Sequence, residues 1–146
     1  MPAQAGDVLE LDESWGFVGA KWRECWLWVA LCRRTRQIVS YTLGDRSQES
    51  ARFLRESLPS DYFRHATRSD FWDAYGAVFP AHTHRFCAKQ EGETNHVERF
   101  FGTLRARFSR LVRRSYAFSK SLERHAQAIH LFITDYNLEI KHQHAL

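Results

Sequence analysis

Three carboxylates lie in stretches suited to chemistry. They are Asp12 in VLELDES (8–14), Asp70 in SDFWDAY (69–75) and Glu98 in TNHVERFFGTLRARFSRLVRR (94–114). Brought to one point without a cation, three carboxylates repel and raise each other's pKa. Two divalent ions about 3.5–4 Å apart would relieve that repulsion and support phosphoryl transfer. One would activate a water or a 3′-hydroxyl, and the other would stabilise the leaving oxygen. Hard oxygen ligands suit magnesium or manganese. Other acids compete for these roles. Asp73 stands one helical turn from Asp70. Glu10 shares a strand face with Asp12, as a supporting or a merely solvated acid, and Glu13 points to the other face. Because the chain holds 17 acidic residues, surface salt bridges to arginine are the alternative account of any such triple.

The stretch around Glu98 is expected to be a helix with three different sides. Val97, Phe101, Leu104, Phe108 and Leu111 are spaced four, three, four, three, which makes one apolar stripe. At about 100° per residue, Arg107, Arg110 and Arg114 fall roughly opposite Glu98, with Arg99 and Arg113 on the flank between. Glu98, Gly102, Arg105 and Ser109 line the other seam. Arg105 is two turns after Glu98 and nearly in register with it, and Gly102 leaves room for a backbone to approach. The stripe would dock the helix, Glu98 would complete a metal site, and the arginines would hold phosphates. A solvated basic face on an ordinary amphipathic helix is the plainer alternative. Against it, residues 99–124 carry seven arginines and Lys120 with a single acid, Glu123.

The elements that must position these residues follow from pattern. Residues 1–6 read as a loose tail. VLELDES alternates like a strand, CWLWVALC (25–32) is an apolar run of strand length, and QIVSYTLG (37–44) is β-branched. Short turns, GAKWRE and RRTR, predict an antiparallel meander. DRSQESARFLRESLP reads as a helix capped by Asp45 with Gln48, or by Ser47, and ended by Pro59. RHATRSD leads into a short strand ending at Asp70, and FWDAYGAVFP is a short helix. THRFC (83–87) is a further strand and AKQEGE a loop. Two long helices follow, about 94–114 and 119–138, joined near Ser115, with 139–146 as a mobile tail. Three strands, a helix, then alternating strand and helix is the order of a ribonuclease-H-like α/β fold, although other layered α/β domains share it. That fold predicts a five-stranded mixed sheet with helices on both faces and Asp12 and Asp70 on adjacent strands.

The chain has 146 residues, sufficient for one domain with a proper core. Hydrophobic content of 44% and aromatic content of 14% predict a packed fold rather than disorder. Of the 21 basic residues only Lys21, Lys89, Lys120 and Lys141 are lysines, and arginine is the better fork for phosphate oxygens. An anionic polymer partner fits that choice. Cys25, Cys32 and Cys87 are an odd count with no CxxC pair, which disfavours a disulfide framework or a zinc ribbon. With no apolar run of about 18 residues and no signal peptide before the first element, the expected location is the cytoplasm, with no membrane contact.

Taken together, LELDESWGFVG, CWLWVALCRRTRQIVSYTLGDRS, SDFWDAY, the 94–114 helix and FSKSLERH resemble the transposases of the insertion-sequence-one group, whose catalytic part is the InsB-type domain. The resemblance covers most of residues 9–137 in the family's order. It implies a DDE transposase on a ribonuclease-H-like fold, cutting DNA and joining the freed 3′-hydroxyl to a target. The first aspartate falls on Asp12, the second on Asp70 and the glutamate on Glu98. Asn95, His96 and Arg99 match the residues around that glutamate, and Arg105 stands where such enzymes often carry a basic residue. Implied partners are DNA, as element ends and target, and a second copy or a full-length transposase. The family's N-terminal zinc and helix-turn-helix part has no counterpart before the first strand, which implies a catalytic half alone. A ribonuclease-H-like nuclease without strand transfer, and a non-catalytic remnant that binds DNA or a transposase subunit, are the competing readings.

Other residues invite chemistry less securely. His82 and His84 are two apart and would share a strand face, which suits a chelate or simply a strand edge. His96 is placed for a phosphate contact or for capping. Trp22, Trp26, Trp28 and Trp72 suit core or partner packing better than base stacking. Leu122, Ala126, Ile129, Ile133 and Tyr136 make the last helix amphipathic.

Overall fold

The structure is a computed structural model that describes residues 1–18, 20–114 and 122–145, with the side chains of 17–24 and 108–114 outside the described set. Five strands form one mixed sheet: β1 (Val8–Val18), β2 (Ala20–Cys32), β3 (Ile38–Gly44), β4 (Ala66–Ser69) and β5 (His84–Phe86). Their spatial order is β3-β2-β1-β4-β5. The first three strands are antiparallel, and β4 and β5 add in parallel on the β1 side. Helices α1 (Gln48–Glu56) and α2 (Asp73–Val78) cover one face, while α3 (Asn95–Arg114) and α4 (Leu122–Ala145) cover the other.

Strand alternation divides the core. Leu9 and Leu11 of β1 and Trp28, Ala30 and Cys32 of β2 pack with Leu54, Tyr75 and Phe79 on the α1/α2 side. Leu27, Val29 and Leu31, one residue out of phase, pack with Val97, Phe101, Leu104, Ile129 and Ile133 on the α3/α4 side. The helical stripes are as expected at these positions. Phe100 and Phe132, outside the predicted stripes, are buried as well, and Phe100 sets its ring edge-on against Tyr136. Leu122 departs from its stripe and is exposed. Phe108 and Leu111 lie outside the described side chains.

Several boundaries differ from the sequence reading. The turn expected over GAKWRE is narrower, because β2 begins at Ala20 and its ladder pairs Glu24 with Phe17. A hairpin ladder satisfies backbone groups whatever the side chains, so this polar stretch carries no strand pattern. The side chain of Trp22 is outside the described set, and the joint near Ser115 is outside the described residues. Ser47 caps α1, accepting from the Ser50 N–H, and Asp45 in turn accepts from Ser47 N–H and the Ser50 hydroxyl.

The segment 139–145, expected as a tail, continues α4. Side-chain bonds to the β3 edge hold this helix. The Asn137 amide donates to Ile38 O at 2.9 Å and accepts from Ile38 N–H at 2.8 Å, and His144 Nε2 meets Thr35 O at 2.9 Å. These contacts also cover an otherwise open strand edge. Residues 1–6 have no regular structure, yet Met1, Ala3 and Gln4 are tied to Gln37, Asp61 and Asp7.

Candidate active site

A site forms where β4 stops and β1 continues. Val8, Leu9 and Glu10 pair with Ala66, Thr67 and Arg68, so extending the register by two residues sets Asp12 level with Asp70 just beyond β4. Past that point no described strand pairs with β1 on that side, and a pocket of about 350 Å³ opens. Asp12, Glu13, Asp70 and Glu98 line it, together with Arg46, Lys89, Thr94 and Arg105. The three predicted acids therefore share one volume, and Asp73, exposed on α2, does not enter it.

The tightest acidic group is not the predicted triple. Asp12, Glu13 and Asp70 each offer a carboxylate oxygen within 4.8 Å of the others. Glu98 is not in that group and accepts from the Thr94 hydroxyl at 3.3 Å. Glu13 leaves β1 on the α2 side, as alternation requires, where its carboxylate takes the Tyr75 hydroxyl on one oxygen and Arg46 on the other. Its length lets it reach the pocket from that face. A signal is present in the sequence: an acid at a position whose neighbours two residues away, Leu11 and Trp15, are apolar.

Electrostatics separate these acids. Burial, then the charges of Glu13, Asp70 and Glu98, push the Asp12 carboxyl up to about 7, against a single backbone bond from Glu13 N–H that favours ionisation. Burial also raises Glu13, and Tyr75 and Arg46 only partly offset it. Asp70 accepts from Trp72 N–H at 3.1 Å, a turn that fixes its side chain over the pocket. Lys89 and Arg105, both exposed, line the pocket and form no ion pair with these acids among the described residues. Clustered hard oxygen donors, of which Glu13 has an arginine partner and Asp12 and Asp70 have no ion pair among the described residues, fit divalent magnesium or manganese.

Glu10, for which the sequence allows a supporting or a solvated role, is fully buried and structural. One oxygen accepts from His96 N–H at 2.9 Å and Val97 N–H at 3.1 Å, and the other from Arg33 Nε at 3.0 Å. It thereby fastens the N-terminus of α3 to β1, which sets Glu98 beside Asp12. His96 belongs to this anchor through its backbone; its ring Nδ1 is buried with no hydrogen-bond partner among the described residues, and burial lowers its pKa. Asn95 is exposed at the first turn.

The basic residues divide. Arg105 is at the pocket, while exposed Arg99 is not among its lining residues. Arg107 faces α4 and pairs with Glu139 at 3.2 Å. The side chains of Ser109, Arg110, Arg113 and Arg114 are outside the described set. Among the described residues, a Cβ at Gly102 would meet nothing within 4 Å, so none of them makes the close approach anticipated there.

The histidine chelate does not form. His82 is in a turn outside β5, so it shares no strand face with His84. Both His84 ring nitrogens are taken by hydroxyls, Thr67 at 2.8 Å and Ser69 at 3.0 Å, and burial lowers its pKa to about 4. Trp28 is core, while Trp26 and Trp72 are half-buried beside Arg46.

A ribonuclease-H-like sheet with an acid-lined pocket beside its central strand defines the class: an α/β domain built to gather carboxylates. Comparison with known proteins gives the family. The IS1 transposase family model matches residues 7–139. The insertion element iso-IS1n protein InsB of Shigella dysenteriae is 39% identical over 126 residues, covering 86% of this chain and 93% of that protein. InsB of insertion element IS1 from Shigella flexneri is 35% identical over 133 residues, 91% of this chain and 95% of that protein. InsB of IS1 4 from Escherichia coli K12 is 34% identical, with 91% of this chain and 74% of that protein covered. The chain belongs to the IS1 transposase family. Among the described residues, no helix is long and apolar enough to cross a membrane.

Proposed function

We propose that this chain is a transposase catalytic domain that cuts a DNA strand and transfers the freed end, with Asp12, Asp70 and Glu98 as the DDE triad. The observation that carries the reading is the convergence of Asp12, Asp70 and Glu98 on one pocket where β4 stops. Burial and the neighbouring acids raise the Asp12 carboxyl, as expected of a site short of positive charge. Asp12, Asp70 and Glu98 would hold a pair of magnesium or manganese ions, and Asp12 would give up its proton as they bind. When bound, the ions supply Lewis acidity to the attacking and leaving oxygens.

The reaction has two displacements. A water oxygen attacks the scissile phosphorus, the P–O3′ bond breaks, and a 3′-hydroxyl is left. That hydroxyl then attacks a target phosphorus, joining the ends and releasing the target's own 3′-hydroxyl. Arg105 and Lys89, at the pocket, hold backbone phosphates during both steps. Arg99, Arg107, Arg110, Arg113 and Arg114 extend the phosphate contact along α3, and Asn95 and His96 support the turn that carries Glu98. The partners are element ends, target DNA and a second copy or a full-length transposase, in the cytoplasm.

The test is incubation with pre-cut element ends, a target plasmid and magnesium or manganese, for wild type and Glu98→Gln. Joined product from wild type and none from the variant is expected. Cleavage without joining would make the protein a nuclease, and binding with neither would make it non-catalytic.

A further inference from the structure

Arg46 has no role in the triad, yet the fold invests heavily in its position. The loop that carries it is fixed at the residue before it. Asp45 O accepts from the Trp28 indole at 2.8 Å, and the Asp45 carboxylate accepts from the Ser50 hydroxyl at 2.8 Å. The guanidinium lies 4.1 Å from the ring centre of Trp72 and 4.9 Å from that of Trp26. Two aromatic faces hold a planar cation at little desolvation cost.

The hydrogen bonding is lopsided. Arg46 Nε and Nη2 both donate to the same Glu13 oxygen, at 3.2 and 3.0 Å, while the other Glu13 oxygen takes the Tyr75 hydroxyl. An arginine serving only to neutralise a carboxylate commonly uses both oxygens as a parallel fork. Here the remaining N–H groups donate to nothing among the described residues, on a side chain 39% exposed. Arg46 lines the same pocket as Asp12, Asp70 and Glu98.

We propose that Arg46 is a phosphate-binding residue of the active site, with Glu13 and Trp72 as its positioning residues. Resting on the transposase reading, it assigns the free guanidinium edge to a backbone phosphate of the DNA strand entering the pocket. Glu13 then serves the arginine rather than the metal. The two flat aromatic surfaces set the guanidinium plane, so a phosphate oxygen pair meets a fork already oriented.

The experiment is fluorescence anisotropy of a labelled DNA duplex over a series of salt concentrations, without divalent metal. Wild type is compared with Arg46→Ala, Arg46→Lys and Arg52→Ala, an exposed arginine on α1 away from the pocket. Thermal melting checks each variant, and Arg46→Lys, which keeps a cation beside Glu13, decides the case if the alanine variant does not fold. Arg46→Ala is expected to bind about tenfold more weakly and to lower the salt slope by about one. Arg46→Lys should keep the slope but bind severalfold more weakly, because the fork and the stacking are removed. Arg52→Ala should match wild type. Folded Arg46 variants that bind like wild type would overturn the assignment while leaving the transposase reading standing. A wild type that binds no DNA would overturn both.

Discussion

Glu10 and Asp12 are the same kind of group, two residues apart on the same face of β1, and the fold treats them oppositely. Glu10 is buried with a full set of partners: Arg33 and two N–H groups at the start of α3. Asp12 is half-buried among other acids, with one backbone donor. A buried acid that the chain neutralises itself is architecture. One that it leaves short of positive charge is an invitation to an external cation. Glu10 completes the site around Asp12, because the helix that it anchors is the helix that brings Glu98 to the pocket.

The largest expected effect breaks the Asp12 side. Asp12→Asn, Asp70→Asn or Glu98→Gln should each lower metal-dependent DNA cleavage by at least about a thousandfold, since several kcal/mol of charge stabilisation depend on the ions. DNA binding should be unchanged or slightly stronger, because a negative charge near phosphates is removed. A gel assay of nicking with parallel binding curves reads both. On the Glu10 side the loss falls on stability. Glu10→Ala strands Arg33 and the two N–H groups, and should cost about 3–5 kcal/mol in denaturant unfolding, with a smaller loss for Glu10→Gln.

A pH titration sharpens the contrast. Asp12 keeps its proton in the folded chain up to about 7, whereas unfolding restores the ordinary value of 3.8. Between these values the folded state binds more protons than the unfolded, so this group's contribution to stability falls as pH rises. Metal-free wild type should therefore lose stability relative to Asp12→Asn from about pH 4 to 7, as read by melting curves of both at each pH. The smallest effect is on α3. Arg107→Ala should change stability by under about 1 kcal/mol, because its pair with Glu139 is exposed. Replacing Arg107, Arg110 and Arg114 together should flatten the salt dependence of DNA binding by up to about one unit for each phosphate no longer neutralised, equally on element ends and random sequence.

How much of this is legible in the sequence follows the same division. The antiparallel first three strands, the adjacency of the strands of Asp12 and Asp70, the burial of Val97, Phe101 and Leu104, and the shared pocket of Asp12, Asp70 and Glu98 follow from periodicity, element order and family resemblance, whereas the place of β5 in the sheet does not. Glu10 is ambiguous in sequence because strand alternation gives a face but not the partner that covers it. Besides Arg33, its partners are backbone N–H groups far along the chain, invisible to any residue pattern. Glu13 escapes the pattern because alternation fixes where the Cβ points, and a glutamate is long enough to bring its carboxylate around the strand. The last turns of α4 escape it too, because Asn137 and His144 hold them by hydrogen bonds to the β3 edge and its turn, not by an apolar stripe.

The central claim is that the acids at Asp12 and Asp70 are left for a divalent cation. Manganese uptake by the DNA-free protein, followed by electron paramagnetic resonance, tests it without requiring turnover. Wild type and Asp73→Asn, an exposed acid one turn from Asp70, should take up manganese alike, while Asp12→Asn and Asp70→Asn should lose most of it. Equal uptake by wild type and folded Asp12→Asn would contradict the account.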